Sequence, residues 1–105
     1  MASWVFAINE NELGDGEKKP VLLESNAILL VRQEGNFYAM SNKCPHMGCP
    51  FSKGVLDGYT VECPCHDWKF DIKSGEFLTA PEIKAPVYDT KVCDGQVFVN
   101  MEGDL

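Results

Sequence analysis

The sequence predicts an all-β domain built from short antiparallel strands. Apolar, aromatic and β-branched residues occur in short runs that are bounded by Gly, Asn, Asp or Pro, a pattern typical of strands. Two turn signals, Gly35-Asn36 and Asp57-Gly58, stand between such runs and favour hairpins. No segment has a convincing apolar period of 3.6 residues, so nothing in the sequence favours an amphipathic helix.

The strands follow one another with little between them. The apolar run 27–32 ends at Glu34-Gly35, and its length favours a buried strand over a helix, which would have to pass through a glycine. The polar residues 9–19 predict a loop, and the prolines of 80–86 predict another. The predicted strands are 4–8, 20–23, 27–32, 37–40, 69–72, 87–92 and 96–100, with a small hairpin over 54–62.

Residues 43–70 differ in kind from the rest of the chain. This segment holds four of the five cysteines and both histidines, together with three prolines. We interpret it as a small metal-binding subdomain inserted into a β base that consists of residues 1–42 and 71–105. At 105 residues the whole chain fits one domain.

Charge and composition exclude several functions. Nine basic and sixteen acidic residues give a net charge of −7, which argues against nucleic acid and against an anionic membrane surface. An acidic surface suits a partner with a basic docking patch. The first ten residues lack the basic and apolar regions of a signal peptide, and no run approaches the length of a membrane span, so we expect a cytoplasmic protein.

Four residues form a candidate metal site: Cys44 and His46 on one arm, Cys63 and His66 on the other. Sixteen residues separate the two arms. A zinc site usually takes both cysteines from one short turn and both histidines from another, whereas here each arm mixes the two ligand types. A binuclear iron–sulfur cluster with two chemically distinct irons needs this mixing, although four-coordinate zinc remains an alternative.

The motif Cys44-x-His46, sixteen residues, then Cys63-x-x-His66 resembles that of Rieske [2Fe–2S] proteins. Gly54, Gly75-Glu76 and the proline-rich loop 80–86 extend the resemblance over most of the chain. It implies the Rieske-like fold, one [2Fe–2S] cluster per chain, and these two cysteines and two histidines as its ligands. Such centres have reduction potentials of about −150 to +300 mV.

The resemblance also bears on the potential and on a disulfide. High-potential members of the family carry a serine and a tyrosine whose hydroxyls donate to the cluster, at the positions held here by Trp68 and Phe70. Neither side chain has a hydroxyl, so we expect a low-potential centre. Cys49 and Cys65 stand where quinol-oxidising members have a disulfide between the two ligand loops, and we expect that bond here. Cys93 receives no role.

We therefore interpret the chain as a soluble Rieske-type ferredoxin, an electron-transfer protein and not an enzyme. By resemblance it carries one electron from a reductase to an oxygenase or another oxidoreductase. A second hypothesis is a small electron-transfer subunit of a larger enzyme, of the nitrite reductase or arsenite oxidase type. A third is a zinc-binding interaction module.

Overall fold

A computed structural model shows twelve short strands in three antiparallel sheets over the residues that it describes, which confirms the predicted all-β class. It describes residues 3–45, 48–65 and 67–101. The strands are β1 (Trp4–Asn9), β2 (Glu17–Leu23), β3 (Asn26–Gln33), β4 (Asn36–Ser41), β5 (Val55–Asp57), β6 (Thr60–Glu62), β7 (Lys69–Asp71), β8 (Glu76–Phe77), β9 (Ala80–Lys84), β10 (Val87–Tyr88), β11 (Thr90–Cys93) and β12 (Gln96–Asn100). Two 3₁₀ turns cover Glu10–Glu12 and Phe51–Lys53. No helix in the described part of the chain is long and apolar enough to cross a membrane.

The central sheet has the order β10-β4-β3-β2 and is covered on both faces. Side chains of β3 alternate between two hydrophobic cores: Leu29 and Val31 face one, and Ile28 and Leu30 face the other. Burial on both faces explains why this strand is a continuous apolar run rather than an alternating one. The second core is closed by the sheet β1-β12-β11, which contributes Val97 and Val99.

The first core is closed by the five-stranded sheet β5-β6-β7-β8-β9. Phe51, Val61 and Phe70 are fully buried there, beside the thiols of Cys44 and Cys63. This sheet begins at residue 55 and runs to residue 84, so it includes strands on both sides of residue 70. The division into a base and an inserted subdomain stays a prediction.

Two sequence-based predictions differ from the structure. Residues 80–84 form the strand β9 and not a loop, because β9 is a sheet edge, where Pro81 need not donate a hydrogen bond. Residues 17–19 also belong to a strand, because β2 pairs with β3 along its whole length, from Glu17 opposite Arg32 to Leu23 opposite Asn26.

The predicted strand 87–92 is divided between two sheets. Val87 and Tyr88 pair with β4, whereas Thr90 begins the pairing with β12. The hydroxyl of Thr90 donates to the carbonyl of Phe37 at 2.7 Å and holds this corner against the central sheet. A run of alternating residues does not reveal such a change of sheet.

The hairpin turns of the two sheets meet at the end opposite the ligand loops. The Gln33 amide donates to the carbonyl of Gly58 at 2.6 Å. The Tyr59 hydroxyl donates to the Glu34 carboxylate, and this hydrogen bond raises the pKa of Tyr59 to about 12. These contacts tie the β5–β6 turn to the β3–β4 turn and fix the small sheet on the large one.

Gly54 is required by a close backbone approach. A Cβ at this position would lie 1.7 Å from the carbonyl oxygen of Glu62, which is the residue before Cys63. Because the clashing atom belongs to the backbone, the clash could be removed only by moving the backbone at the start of the second ligand loop. We predict that Gly54→Ala lowers the apparent Tm by more than about 10 °C, equivalent to roughly 2–3 kcal/mol in a domain of this size.

Thermal unfolding followed by circular dichroism at one scan rate measures this effect. Gly14→Ala is the matched control, because its added Cβ would meet only the flexible side chain of Glu17. Equal Tm values for the two variants would contradict the proposed backbone clash.

Candidate metal centre

Two loops of the same construction carry the predicted ligands. We call residues 44–49 loop 1 and residues 63–68 loop 2. In loop 1 the N–H of Cys44 donates to the carbonyl of Cys49 at 2.9 Å, and the N–H of Gly48 donates back to the carbonyl of Cys44 at 2.7 Å. Loop 1 therefore begins with a cysteine whose N–H and carbonyl both form hydrogen bonds that close the turn.

Loop 2 repeats the pattern at the same spacing. The N–H of Cys63 donates to the carbonyl of Trp68 at 2.7 Å, and the N–H of Asp67 donates to the carbonyl of Cys63 at 3.1 Å. The fifth residue of each loop has a left-handed backbone conformation: Gly48 has φ 72° and Asp67 has φ 57°. Glycine and aspartate are among the residues that adopt this conformation most readily.

The two cysteines that begin the loops are buried and take no part in the disulfide. Cys44 is 2% exposed and Cys63 is 1% exposed, and both lie in the first hydrophobic core. A buried thiolate would be costly unless a cation neutralised it. Two thiols at equivalent positions of two facing loops are the donor set that a metal cluster between those loops requires, so the residues fit an iron–sulfur group.

The disulfide between Cys49 and Cys65 is present, as predicted. It joins the last residue of loop 1 to the third residue of loop 2, with the two Cα atoms 6.4 Å apart. The bond links the two loops directly, beside the buried thiols, and so limits their relative movement. Cys65 is exposed, whereas Cys49 is half-buried.

His46 and His66 lie outside the described residues, so their predicted role as ligands stays a prediction. Met47, another residue of loop 1, lies outside them too. In sequence, His46 is the third residue of loop 1 and His66 is the fourth residue of loop 2. Among the described residues, no group of three or more metal-binding side chains is present. The histidines would complete the set of four.

An aromatic stack supports loop 2. Trp68 lies flat on Phe77, with ring centroids 4.2 Å apart and an interplanar angle of 4°. The ring centroid of Phe70 lies 5.3 Å from that of Phe77 and 5.2 Å from that of Phe51, so the stack continues into the core. Positions 68 and 70 thus hold aromatic rings, and no hydroxyl, at the end of loop 2 and two residues beyond it.

Sequence reasoning missed the polar support of loop 1. Asn42 is only 7% exposed, and its side-chain oxygen accepts the N–H of Ser52 at 2.8 Å. The Lys18 ammonium donates to the carbonyl of Ser52 at 2.6 Å. These bonds hold the chain on both sides of loop 1, and the asparagine two residues before Cys44 was the sequence signal for them.

A comparison with protein families matches residues 3–98 to the model of the Rieske [2Fe-2S] domain. The chain belongs to this family. The ferredoxin component of the naphthalene 1,2-dioxygenase system of Pseudomonas aeruginosa is 31% identical over 99 residues, which cover 93% of this chain and 95% of that protein. Human apoptosis-inducing factor 3 is 40% identical over 89 residues, or 84% of this chain, but these cover only 15% of that protein.

Solved Rieske structures have the same fold. A ferredoxin from Sphingomonas yanoikuyae B1 has a TM-score of 0.85 at 27% identity, covering 94% of this chain and 99% of that one. A chain in the complex of reduced oxygenase and oxidised ferredoxin of carbazole 1,9a-dioxygenase has a TM-score of 0.87 at 27% identity, covering 97% and 96%. The prediction of a Rieske-type ferredoxin, an electron-transfer protein, is confirmed, and family membership implies a [2Fe–2S] cluster.

The disulfide gives a prediction for the thiol count. When the cluster is removed by acid and the protein is unfolded without reductant, we expect three reactive thiols, those of Cys44, Cys63 and Cys93. Reduction before the assay should give five. Thiol titration of the two samples measures both numbers.

The double variant Cys49→Ser and Cys65→Ser tests the contribution of the bond to stability. Closing a loop of this length contributes roughly 3 kcal/mol, so we expect a lower Tm and faster loss of visible absorbance on heating. Cys93→Ser is the control, because Cys93 is an exposed thiol outside both loops. Five thiols in the unreduced wild-type protein would contradict the disulfide.

Proposed function

We propose that this chain carries one electron at a time from a reductase to a terminal oxygenase, through one [2Fe–2S] cluster per chain. The observation that supports this proposal best is the burial of two thiols, those of Cys44 and Cys63, at equivalent positions of two closed and cross-linked loops. Neither loop is open enough at its cysteine to expose the thiol, so these residues suit a bound group better than a reactive site.

We propose Cys44, His46, Cys63 and His66 as the ligands. When bound, the cluster supplies reversible one-electron transfer. The chain itself keeps the two thiols away from water and fixes the two loops through paired backbone hydrogen bonds and the disulfide. Little rearrangement of the loops is then needed when the charge of the site changes, which favours rapid electron transfer.

The potential is proposed to lie at the low end of the family's range. A hydrogen bond to a cluster sulfur stabilises the reduced, more negative form and raises the potential. Trp68 and Phe70 hold aromatic rings at the positions from which high-potential members donate, and Phe70 is fully buried between Phe51 and Phe77.

The partners follow from the relatives. Several are ferredoxin components of dioxygenase or monooxygenase systems, and structures of carbazole 1,9a-dioxygenase hold a ferredoxin together with an oxygenase. We propose an oxygenase as the electron acceptor, a reductase as the donor, and the cytoplasm as the location. With a net charge of −7, this chain suits partners whose docking surface is basic.

Spectroscopy of the reduced protein tests the proposed cluster. We expect two irons and two acid-labile sulfides per chain, an electron paramagnetic resonance signal on one-electron reduction, and hyperfine couplings from two coordinating nitrogens. Cys63→Ser should lose the signal, whereas Cys93→Ser should keep it. Bound zinc, or a signal without nitrogen couplings, would contradict the proposed ligands.

A single hydroxyl tests the origin of the potential. We predict that Phe70→Tyr raises the midpoint potential by roughly 40–130 mV, which is one hydrogen bond of about 1–3 kcal/mol converted at about 59 mV per tenfold change. Redox titration measures the change. Phe98→Tyr, on the sheet β1-β12-β11, is the control and should leave the potential unchanged. A wild-type midpoint well above zero would contradict a low-potential centre.

A further inference from the structure

Charged residues are distributed unequally around the two loops. Residues 43–56, which include loop 1, contain the exposed lysines Lys43 and Lys53 and no carboxylate. Residues 57–71, which include loop 2, contain four carboxylates and one lysine, Lys69. The carboxylates are those of Asp57, Glu62, Asp67 and Asp71. The segment that includes loop 1 is therefore positively charged, and the segment that includes loop 2 is negatively charged.

Three of these four carboxylates, those of Asp57, Glu62 and Asp71, lie on one face of a sheet. In β6 and β7 the alternation buries Val61 and Phe70 and turns their neighbours outward. We call the outward side of β5, β6 and β7 with the adjoining Leu78 the β5–β7 face. Its residues are Val55, Asp57, Thr60, Glu62, Lys69, Asp71 and Leu78.

The pairing arranges this face in two rows. In the row beside loop 2, Val55 lies opposite Glu62 and Glu62 opposite Lys69, and the N–H of Leu78 donates to the carbonyl of Lys69 at 3.0 Å. Its two ends are apolar and open to solvent, since Val55 is 60% exposed and Leu78 is 50% exposed. The second row places Asp57 and Asp71 on either side of Thr60.

The face is continuous with the candidate metal centre. Glu62 directly precedes Cys63, and Lys69 directly follows Trp68, so both ends of loop 2 emerge from the first row. The second row is two residues further along the strands, or about 7 Å. That distance is within the Debye length of about 8 Å at physiological ionic strength, so its carboxylates act on a partner that covers the first row.

We propose that the β5–β7 face orients the electron-accepting partner, whose basic surface covers this face while apolar side chains meet Val55 and Leu78. This inference rests on the proposed function and adds to it the side of the loops from which the acceptor approaches. Lys43 and Lys53, in the segment that includes loop 1, repel the same basic surface. The charge difference between the two segments favours one orientation of the partner at the loops.

Electron transfer to cytochrome c tests the proposal, because this small redox protein has a basic surface around its exposed haem edge. The second-order rate of its reduction by the reduced ferredoxin is followed by stopped flow at physiological ionic strength, where the Debye length is about 8 Å. We expect Asp57→Asn and Asp71→Asn each to lower the rate about two- to fivefold, and Lys53→Gln to raise it. At high ionic strength these differences should disappear.

Asp94→Asn is the charge-matched control. Asp94 lies in the turn between β11 and β12, whose sheet shares no strand with either loop, and its neutralisation should change the rate by less than about 1.5-fold. Leu78→Gln should lower the rate at both ionic strengths, because its contribution is apolar. Redox titration of each variant verifies that the driving force is unchanged.

The outcomes separate the two proposals. If Asp94→Asn slows the reaction as much as Asp57→Asn does, net charge alone acts and the docking face is wrong, although the electron-transfer function stands. If the reduced protein forms but does not reduce cytochrome c, the spectroscopic test decides the function and the docking proposal fails. A wild-type dimer in sedimentation that Asp57→Asn dissociates would assign the face to a second copy of the chain and overturn the proposal.

Discussion

The structure depends on keeping two thiols buried on loops that are far apart in sequence. Each loop is closed in the same way, because the N–H and the carbonyl of its first cysteine both form hydrogen bonds within the loop. Cys44 is hydrogen-bonded to Gly48 and Cys49. Cys63 is hydrogen-bonded to Asp67 and Trp68. The thiol is then directed by a closed ring of backbone and not by side-chain packing alone. The disulfide fixes one closed ring against the other.

The loops also need a support that does not move, and the central sheet provides it. Its two faces are both buried, and the two small sheets that cover them share no hydrogen-bonded strand with it. The sheet that carries loop 2 is therefore held through packing and through specific contacts at its ends. The hydrogen bond from Tyr59 to Glu34 secures the β5–β6 turn, and the one from Lys18 to Ser52 secures the chain that follows loop 1.

The sequence was sufficient to predict those features whose residue pattern is compatible with only one kind of local structure. The family, from the spacing of its cysteines and histidines, the turn at Gly35 and the buried strand over 27–32 could be predicted because each pattern has few structural alternatives. The strand at 80–84, the change of sheet at Asp89 and the Asn42–Ser52 bond could not, because each depends on which segment lies alongside. Pro81 favours a loop locally, and only its position at a sheet edge makes a strand acceptable.

The disulfide and the missing hydroxyls separate two properties that occur together in the high-potential proteins that this chain resembles. Cross-linking the loops restricts their relative movement, and closing a loop of this length contributes roughly 3 kcal/mol to stability whatever the charge of the bound group. Hydrogen bonds from hydroxyls act instead on the difference between the oxidised and reduced states. With Cys49 and Cys65 joined and Phe70 buried among aromatic rings, the chain has the first property without the second. A low midpoint, as proposed, would show that mechanical fixation of the loops does not by itself require a high potential.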